Sequence, residues 1–170
     1  LYVNRFNAAT ASWGVATEVD AGQVTSNLLA RIEMAMLADG RAVLTWQSGT
    51  YALKSMSYSP STGFSAPLAV TSLSTGNHFL GIDRDGRALL TYRSLSQWPN
   101  PTDATYNVYT RELPSGGAWS AAALIEAGAG DTKQNVPCAM NLTGQAVCTW
   151  AQNDLAGNTI RNSLWANLRR

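Results

Sequence analysis

The chain has 170 residues, of which 45% are hydrophobic and 14% charged, and its formal net charge is +1. This composition predicts one globular domain and excludes a disordered chain. It also disfavours nucleic-acid binding, because no basic cluster occurs beyond the pair Arg169-Arg170. No apolar run approaches the roughly 18 residues that a membrane helix needs, so we expect no membrane span.

Alternating apolar and polar residues predict strands along the whole chain, and no segment predicts a convincing helix. Loops rich in Gly, Ser, Pro and Asn separate these strands and supply turn residues. In chain order, the predicted strands are 1–6, 13–19, 31–37, 41–47, 53–58, 64–70, 77–83, 87–93, 108–113, 119–125, 135–141, 145–152 and 160–165.

Three regions of the chain are nearly the same in sequence. Segments 38–46, 84–92 and 142–150 each contain a turn ending in glycine, a run of β-forming residues and a final aromatic residue. Aligning them predicts four strands per unit and a period of roughly 50 residues, which is typical of a β-propeller blade. A β-sandwich, the alternative, gives no reason for an aromatic residue at one fixed position. The predicted blades of this single domain are residues 1–30 (partial), 31–76, 77–134 and 135–170 (partial).

The repeated unit combines an apolar strand, an Asp-Gly or Thr-Gly turn, a strand such as Ala-Val-Leu-Thr-Trp, and a fourth strand that begins with Trp-Gly, Phe-Ser or Trp-Ser. This pattern resembles the repeats of bacterial secreted and cell-surface β-propellers, which are related in shape to sialidase-like and WD-like propellers. The resemblance implies an all-β propeller of four-stranded antiparallel blades, with about three blades present, in a secreted, periplasmic or cell-surface protein. A closed ring needs at least about four blades. We therefore expect an incomplete ring or fragment, whose remaining blades come from the same polypeptide or another chain.

Aromatic residues recur at two positions of the unit. Stacked aromatic side chains can bind sugars, but one aromatic residue per unit at a fixed position favours packing between blades. The second strands carry Trp46, Tyr92 and Trp150, and the fourth strands begin with Trp13, Phe64 and Trp119.

The two cysteines, Cys138 and Cys148, lie on either side of the turn at residues 142–144. Counting outward from a three-residue turn places them opposite each other on one hairpin, where a disulfide can form. A disulfide would indicate an oxidising compartment. The alternative is two buried free thiols, because a shift of one residue in register removes the direct pairing.

Catalytic, metal and cofactor chemistry finds little support in the sequence. His78 is the only histidine, no nucleophile–base pair stands out, and no metal-ligand spacing occurs, so we expect neither a metal nor a cofactor. Residues 83–86 resemble the start of a calcium loop, but a tight hairpin with glycine at positive φ is favoured. A sialidase-like site would need clustered arginines, whereas Arg31, Arg93 and Arg111 lie at different positions of their strands.

Function is expected on the loops between second and third strands and between blades, which share one face of a propeller. Loop 94–105 is longer than its counterpart near residues 48–50, and it contains an out-of-phase tryptophan. That tryptophan either contacts a ligand or packs within its own loop. The predicted ligand-binding residues on this face are Gln97, Trp98, Asp103, Asp131, Lys133, Asn153 and Asp154.

These observations favour a non-catalytic extracellular interaction module that binds a protein or a glycan through one loop face. One alternative is part of a sialidase-like glycoside hydrolase or lyase propeller. Another is a structural spacer domain of a surface protein.

Overall fold

The computed structural model describes residues 1–21, 31–48, 52–72, 75–95, 106–126, 131–132, 136–156 and 159–169. These residues form strands β1–β17 and no helix, and the paired strands are antiparallel. The prediction of an all-β chain with antiparallel sheets is therefore confirmed. Within the described ranges, no helix is long and apolar enough to cross a membrane.

The first residues form a small unit that we call the N-terminal hairpin. Strand β1 pairs with β4, and β2 pairs with β3, so each of the two predicted strands is present as two short pieces. The outgoing arm consists of β1 (Tyr2–Val3) and β2 (Phe6–Asn7), and the return arm of β3 (Ser12–Trp13) and β4 (Thr17–Glu18).

Three larger sheets follow in chain order. Sheet 1 consists of β5 (Ile32–Met36), β6 (Ala42–Gln47), β7 (Leu53–Ser59), β8 (Gly63–Phe64) and β9 (Leu68–Ala69). Sheet 2 consists of β10 (Thr75–Ile82), β11 (Ala88–Leu95), β12 (Tyr106–Leu113) and β13 (Ala123–Leu124). Sheet 3 consists of β14 (Asp131–Thr132), β15 (Cys138–Met140), β16 (Ala146–Ala156) and β17 (Thr159–Arg169).

In sheets 1 and 2 the first three strands pair in the order of the chain, and in sheet 3 β14 and β15 together take the place of the first strand. Strands β8 and β9 both pair with the outer edge of β7, and β13 pairs with β12. In sheet 3, β14 and β15 share one edge of β16, and β17 occupies the other edge. Strand β15 is shorter than the predicted strand 135–141. Pro137, which has no N–H to donate, directly precedes it.

The outer strands are interrupted, and serine side chains replace part of the ladder. Ser65 donates its backbone N–H to Ser57 O at 2.8 Å, and its Oγ accepts from Ser57 N at 3.0 Å. Ser120 makes the same two bonds to Glu112, at 2.8 and 3.0 Å. Both serines also donate Oγ–H to the next backbone carbonyl. The interrupted edge therefore keeps its polar backbone groups bonded at these points.

The core lies between successive sheets. The three buried clusters join the N-terminal hairpin to sheet 1, sheet 1 to sheet 2, and sheet 2 to sheet 3. The first contains Ala42, Leu44, Trp46 and Met56; the second Val43, Leu53, Val70, Leu80, Ala88, Leu90, Tyr92 and Leu113; the third Val108, Val136, Cys148 and Trp150.

The aromatic residues of the second strands are core residues, as predicted. Trp46, Tyr92 and Trp150 are each at most 2% exposed. Of the fourth-strand aromatics, Trp119 reaches the preceding sheet, where its Nε1 donates to Ser55 Oγ at 2.8 Å. The packing prediction is wrong for Trp13, which is 66% exposed because no buried cluster of the described residues lies against its side of the N-terminal hairpin.

The three glycine turns have the same geometry. Gly40, Gly86 and Gly144 each have a φ of 86°, a left-handed conformation that side chains disfavour. Each glycine N–H donates to the carbonyl three residues earlier, at 2.9, 3.0 and 3.1 Å. Residues 83–86 thus form the tight hairpin favoured by the sequence.

Asp83 holds the turn of sheet 2 together. Its buried Oδ1 accepts from Asp85 N at 3.0 Å and Arg87 N at 2.9 Å, and Oδ2 pairs with Arg87 Nε at 2.8 Å. Burial alone would raise the pKa of Asp83, but the hydrogen bonds and charge of Arg87 outweigh burial and hold this pKa below its usual value. In sheet 3, Asn141 takes the position that Asp83 has in sheet 2, and its Oδ1 accepts from Thr143 N and Gln145 N.

The predicted register of the cysteine hairpin is confirmed, because Cys138 faces Cys148 across β15 and β16. The structure joins them in a disulfide with a Cα–Cα distance of 4.1 Å. Cys148 is buried in the cluster between sheets 2 and 3, and Cys138 packs against that cluster. The disulfide therefore links β15 and β16 at the point where they contact sheet 2.

We expect Asp83→Ala to lower the free energy of unfolding by about 1–3 kcal/mol, because the backbone N–H groups and the guanidinium lose a buried acceptor. Asp83→Asn should cost less, since an amide oxygen accepts the same two backbone bonds, as Asn141 does. Urea unfolding at pH 7 measures both. The control is Asp39→Ala in the exposed turn of sheet 1, which should stay within about 0.5 kcal/mol. Equal losses for the two alanine variants would contradict this role of Asp83.

Reduction of the disulfide should raise the mass of the chain by two hydrogens. For so short a loop, the reduced chain should lose about 2–3 kcal/mol of unfolding free energy, because its unfolded state is less constrained. Mass spectrometry and urea unfolding with and without reductant measure the two effects. Labelling of Cys138 and Cys148 by iodoacetamide in the denatured, unreduced chain would show instead that they are free thiols.

Candidate functional site

The second strands are β6, β11 and β16, and the third strands are β7, β12 and β17. We call the end of each sheet where its second strand ends and its third strand begins the loop end. In sheets 1 and 2 these ends are adjacent. Gln47 Nε2 donates to Thr75 O at 2.7 Å and to Gly76 O at 2.9 Å. Strand β14 of sheet 3 likewise lies against β12 of sheet 2. The loop ends of the three sheets therefore form one side of the stack.

The glycine turns occupy the opposite side, the turn end. Arg84 N donates to Leu142 O at 3.0 Å and joins the turns of sheets 2 and 3. Arg41 Nη1 donates to Ser115 Oγ at 3.1 Å and joins sheet 1 to sheet 2. These bonds connect the turns of neighbouring sheets, whereas the predicted ligand-binding residues that the structure describes lie at the loop end, which is therefore the candidate site.

The seven predicted ligand-binding residues divide into two groups. Four of them lie outside the described residues: Gln97, Trp98, Asp103 and Lys133. The backbone of the other three lies at the loop end of sheet 3, where Asp131 faces Asn153 across β14 and β16, and Asp154 is the next residue of β16.

Asn153 and its neighbour Gln152 carry unused hydrogen-bonding atoms. Gln152 is fully buried, and its Oε1 accepts from Trp150 Nε1 at 3.1 Å. Gln152 Nε2 and Asn153 Oδ1 are also buried, and neither has a hydrogen-bond partner within the described part of the chain. Buried polar atoms are normally paired, because an unpaired one costs free energy. This unused donor and acceptor need a partner such as a ligand group or a water molecule.

Arg93 and Tyr106 form a second feature of the loop end, on sheet 2. The guanidinium Cζ of Arg93 lies 3.9 Å from the centre of the Tyr106 ring, a cation–π contact. Gly76 leaves room for this arginine, because a Cβ at that position would lie 2.9 Å from Arg93 Nε. Sequence reasoning missed this pair, and Gln152 as well, because both appear in the sequence as ordinary strand residues.

His78 lies inside the stack near the loop end and is 2% exposed. Its two ring nitrogens have no hydrogen-bond partner among the described residues. Burial lowers the pKa of His78 from 6.5 to about 4; the charge of Arg31 contributes in the same direction, and the Thr45 backbone opposes it. His78 is therefore neutral at pH 7 and acts as a buried ring facing Tyr92 across β10 and β11.

The arginines considered for a sialidase-like site are not brought together by sheet 2. Arg93 pairs with Val108, and Arg111 pairs with Leu90, which lies three residues before Arg93. Because side chains alternate along a strand, Arg93 and Arg111 point to opposite faces. Arg111 is used within the sheet, where its Nη1 donates to Ser120 O at 3.0 Å.

Comparison with protein-family models and with curated proteins gives no match. Among the residues that the structure describes, no group of three or more His, Cys, Asp or Glu side chains could hold a metal ion. The function is therefore inferred from the geometry of the loop end alone.

Stability should fall as the pH falls from 6.5 to about 4. Over this range His78 stays neutral in the folded chain but takes up a proton in the unfolded chain. The free energy of unfolding is therefore highest above pH 6.5 and decreases below it. The full loss amounts to about 3 kcal/mol. Urea unfolding at pH 7.5, 6, 5 and 4.2 measures it.

The matched variant is His78→Ile, since Ile32 faces Trp46 in sheet 1 as His78 faces Tyr92 in sheet 2. This variant should lose markedly less stability over the same pH range. Parallel curves for the wild type and the variant would show that His78 does not cause the pH dependence.

Proposed function

We propose that the chain is a non-catalytic interaction module of β-propeller type that binds a glycan or a protein at its loop end. The observation that carries this proposal is the pair of unpartnered buried atoms, Gln152 Nε2 and Asn153 Oδ1, beside the backbone of Asp131. Because side chains alternate along β16, the two atoms lie on opposite faces of the strand, and each of them can bond a hydroxyl or a peptide group of a ligand. Of the two ligand classes, the aromatic and polar residues at this end favour a glycan.

The stacking of the sheets supports a propeller arrangement. Successive sheets bury their second strands against one another in chain order. The first strands are neighbours across the sheets, β5 beside β10 and β10 beside β15, while the interrupted fourth strands lie on outer edges. Blades around an axis have this arrangement, with first strands innermost. We propose that further blades, from the same polypeptide or another chain, complete the ring.

Two further observations support an extracellular binding role. A disulfide between Cys138 and Cys148 is stable in an oxidising compartment, which fits a secreted, periplasmic or cell-surface protein. The long segment with Trp98 and Asp103 connects β11 to β12, whose adjoining ends lie at the loop end. We propose that its aromatic and acidic residues contribute to binding at this end.

The arrangement of the arginines gives less support to a hydrolase or lyase. Arg93 lies at the loop end, whereas Arg111 points to the other face of the same sheet and is bonded there. A spacer domain would leave the polar atoms of Gln152 and Asn153 without use.

Glycan-array binding tests the proposal. Trp98→Ala and Asn153→Ala should each reduce binding at least tenfold, because one removes a stacking surface and the other the buried acceptor. The control is Trp13→Ala. Trp13 is exposed and lies beside the turn between β2 and β3 of the N-terminal hairpin, so this variant should bind as the wild type does. Melting curves confirm that each variant is folded.

Three results would contradict glycan binding at the loop end. Equal loss in the Trp13 control would indicate unspecific adhesion. Hydrolysis or elimination of array glycans would favour the enzyme. Absence of glycan binding would leave a protein ligand or a spacer role.

A further inference from the structure

Between sheets 1 and 2, the buried side chains meet in three successive rows. The row nearest the turn end is apolar, with Val43 of β6 and Leu80 of β10 in one cluster. The row nearest the loop end is hydrogen-bonded, because Gln47 Nε2 donates to Thr75 O at 2.7 Å. Side chains alternate along a strand, so Thr45 lies on the same side of β6 as Val43 and Gln47. Thr45 therefore belongs to the middle row.

His78 is the residue of β10 in this middle row. It lies two residues before Leu80, so its side chain is on the same side of the strand and faces sheet 1. The effect of the Thr45 backbone on the pKa of His78 agrees with this position. Both side chains are enclosed, since Thr45 is 0% and His78 2% exposed.

The middle row contains three polar atoms without a hydrogen-bond partner. They are Thr45 Oγ1, His78 Nδ1 and His78 Nε2, and none of them has a partner in the part of the chain that the structure describes. An unpaired buried polar group costs free energy, and such groups are rare in native proteins. Three of them in one enclosed row indicate that a small polar molecule bonds them.

The interface between sheets 2 and 3 shows the same row without this problem. Thr91 of β11 has the position of Thr45 and is also 0% exposed. Its Oγ1 lies 3.6 Å from Cys148 Sγ, to which the hydroxyl donates because a disulfide sulfur carries no hydrogen. Val136 has the position of His78 and brings no polar side-chain atom. The chain itself therefore completes this row, whereas the row of Thr45 remains incomplete.

The chemistry of the middle row favours water. His78 is neutral at pH 7, so one ring nitrogen carries a hydrogen and the other accepts. Thr45 Oγ1 can donate or accept. A water molecule offers both donors and acceptors, and two to four polar partners hold it in a protein interior. A metal ion usually needs about four ligands, which these two side chains do not supply.

We infer that one water molecule is bound in the middle row and joins Thr45 Oγ1 to a ring nitrogen of His78. It connects the second strand of sheet 1 to the first strand of sheet 2, in a row where these two side chains make no direct hydrogen bond. This water site is internal to the stack and does not depend on the ligand proposed for the loop end.

A high-resolution crystal structure of the full chain tests the site directly. It should show an ordered water within hydrogen-bonding distance of Thr45 Oγ1 and of either Nδ1 or Nε2 of His78. An empty row would overturn the inference. A direct hydrogen bond between the two side chains would overturn it as well, because the three atoms would then need no water.

Urea unfolding at pH 7.5 measures what the water contributes. Thr45→Val removes the hydroxyl and keeps the branched shape, so the equilibrium constant of unfolding should rise about fivefold. In the His78→Ile background the water has lost its second partner, and the same change should leave this constant unchanged or lower it. The control is Thr149→Val at the same position of sheet 3, where the side chain is half-buried, and its effect should stay below about twofold.

The sign of the effect separates a hydrated row from a dry one. In a dry row the hydroxyl of Thr45 is unpaired, so Thr45→Val should lower the unfolding constant of the wild type. An equal rise with and without His78 would show that the hydroxyl acts independently of the ring. Either result would contradict a water molecule shared by the two side chains.

Discussion

The burial of β6 and β11, the second strands of sheets 1 and 2, on both faces is the constraint on which the rest of this structure depends. In β6, Val43 and Leu44 point to opposite faces, yet they are 5% and 4% exposed. A strand with apolar residues on both sides needs a packed layer on each side, unlike the half-solvated strand of an ordinary antiparallel sheet. Stacking of the sheets and the central position of Trp46 follow from this demand.

Features that depend on neighbouring residues could be predicted from the sequence. The glycine turns determine the hairpin register, and from that register the pairing of Cys138 with Cys148 follows by counting. The interruptions of the outer strands could not be predicted in the same way, because the bond from Ser57 N to the Ser65 side chain competes with an ordinary ladder and depends on local geometry. The bond from Gln47 to Thr75 joins different sheets, and no periodicity encodes it.

The backbone positions of some candidate-site residues could be predicted from the sequence, and the burial of others could not. Asp131 and Asn153 lie near strand ends, so the blade alignment placed them on the loop side, and the structure shows them facing each other. The sequence gives no signal for Gln152 or for the burial of His78, because both depend on an adjoining sheet. Polar residues are common within strands. Such a residue becomes energetically important only when an adjoining sheet excludes water from it.

The serine-bonded outer strands have a consequence for how this protein behaves at high concentration. A long, regular strand at the rim would expose a row of N–H and C=O groups and would invite cross-β growth. In sheets 1 and 2 the rim consists of two-residue strands, Pro67 contributes no donor, and Ser65 and Ser120 occupy backbone groups at the breaks. The rims of these two sheets thus resist fibril formation without the usual lysine gatekeepers, which fits a chain in which only 14% of the residues are charged.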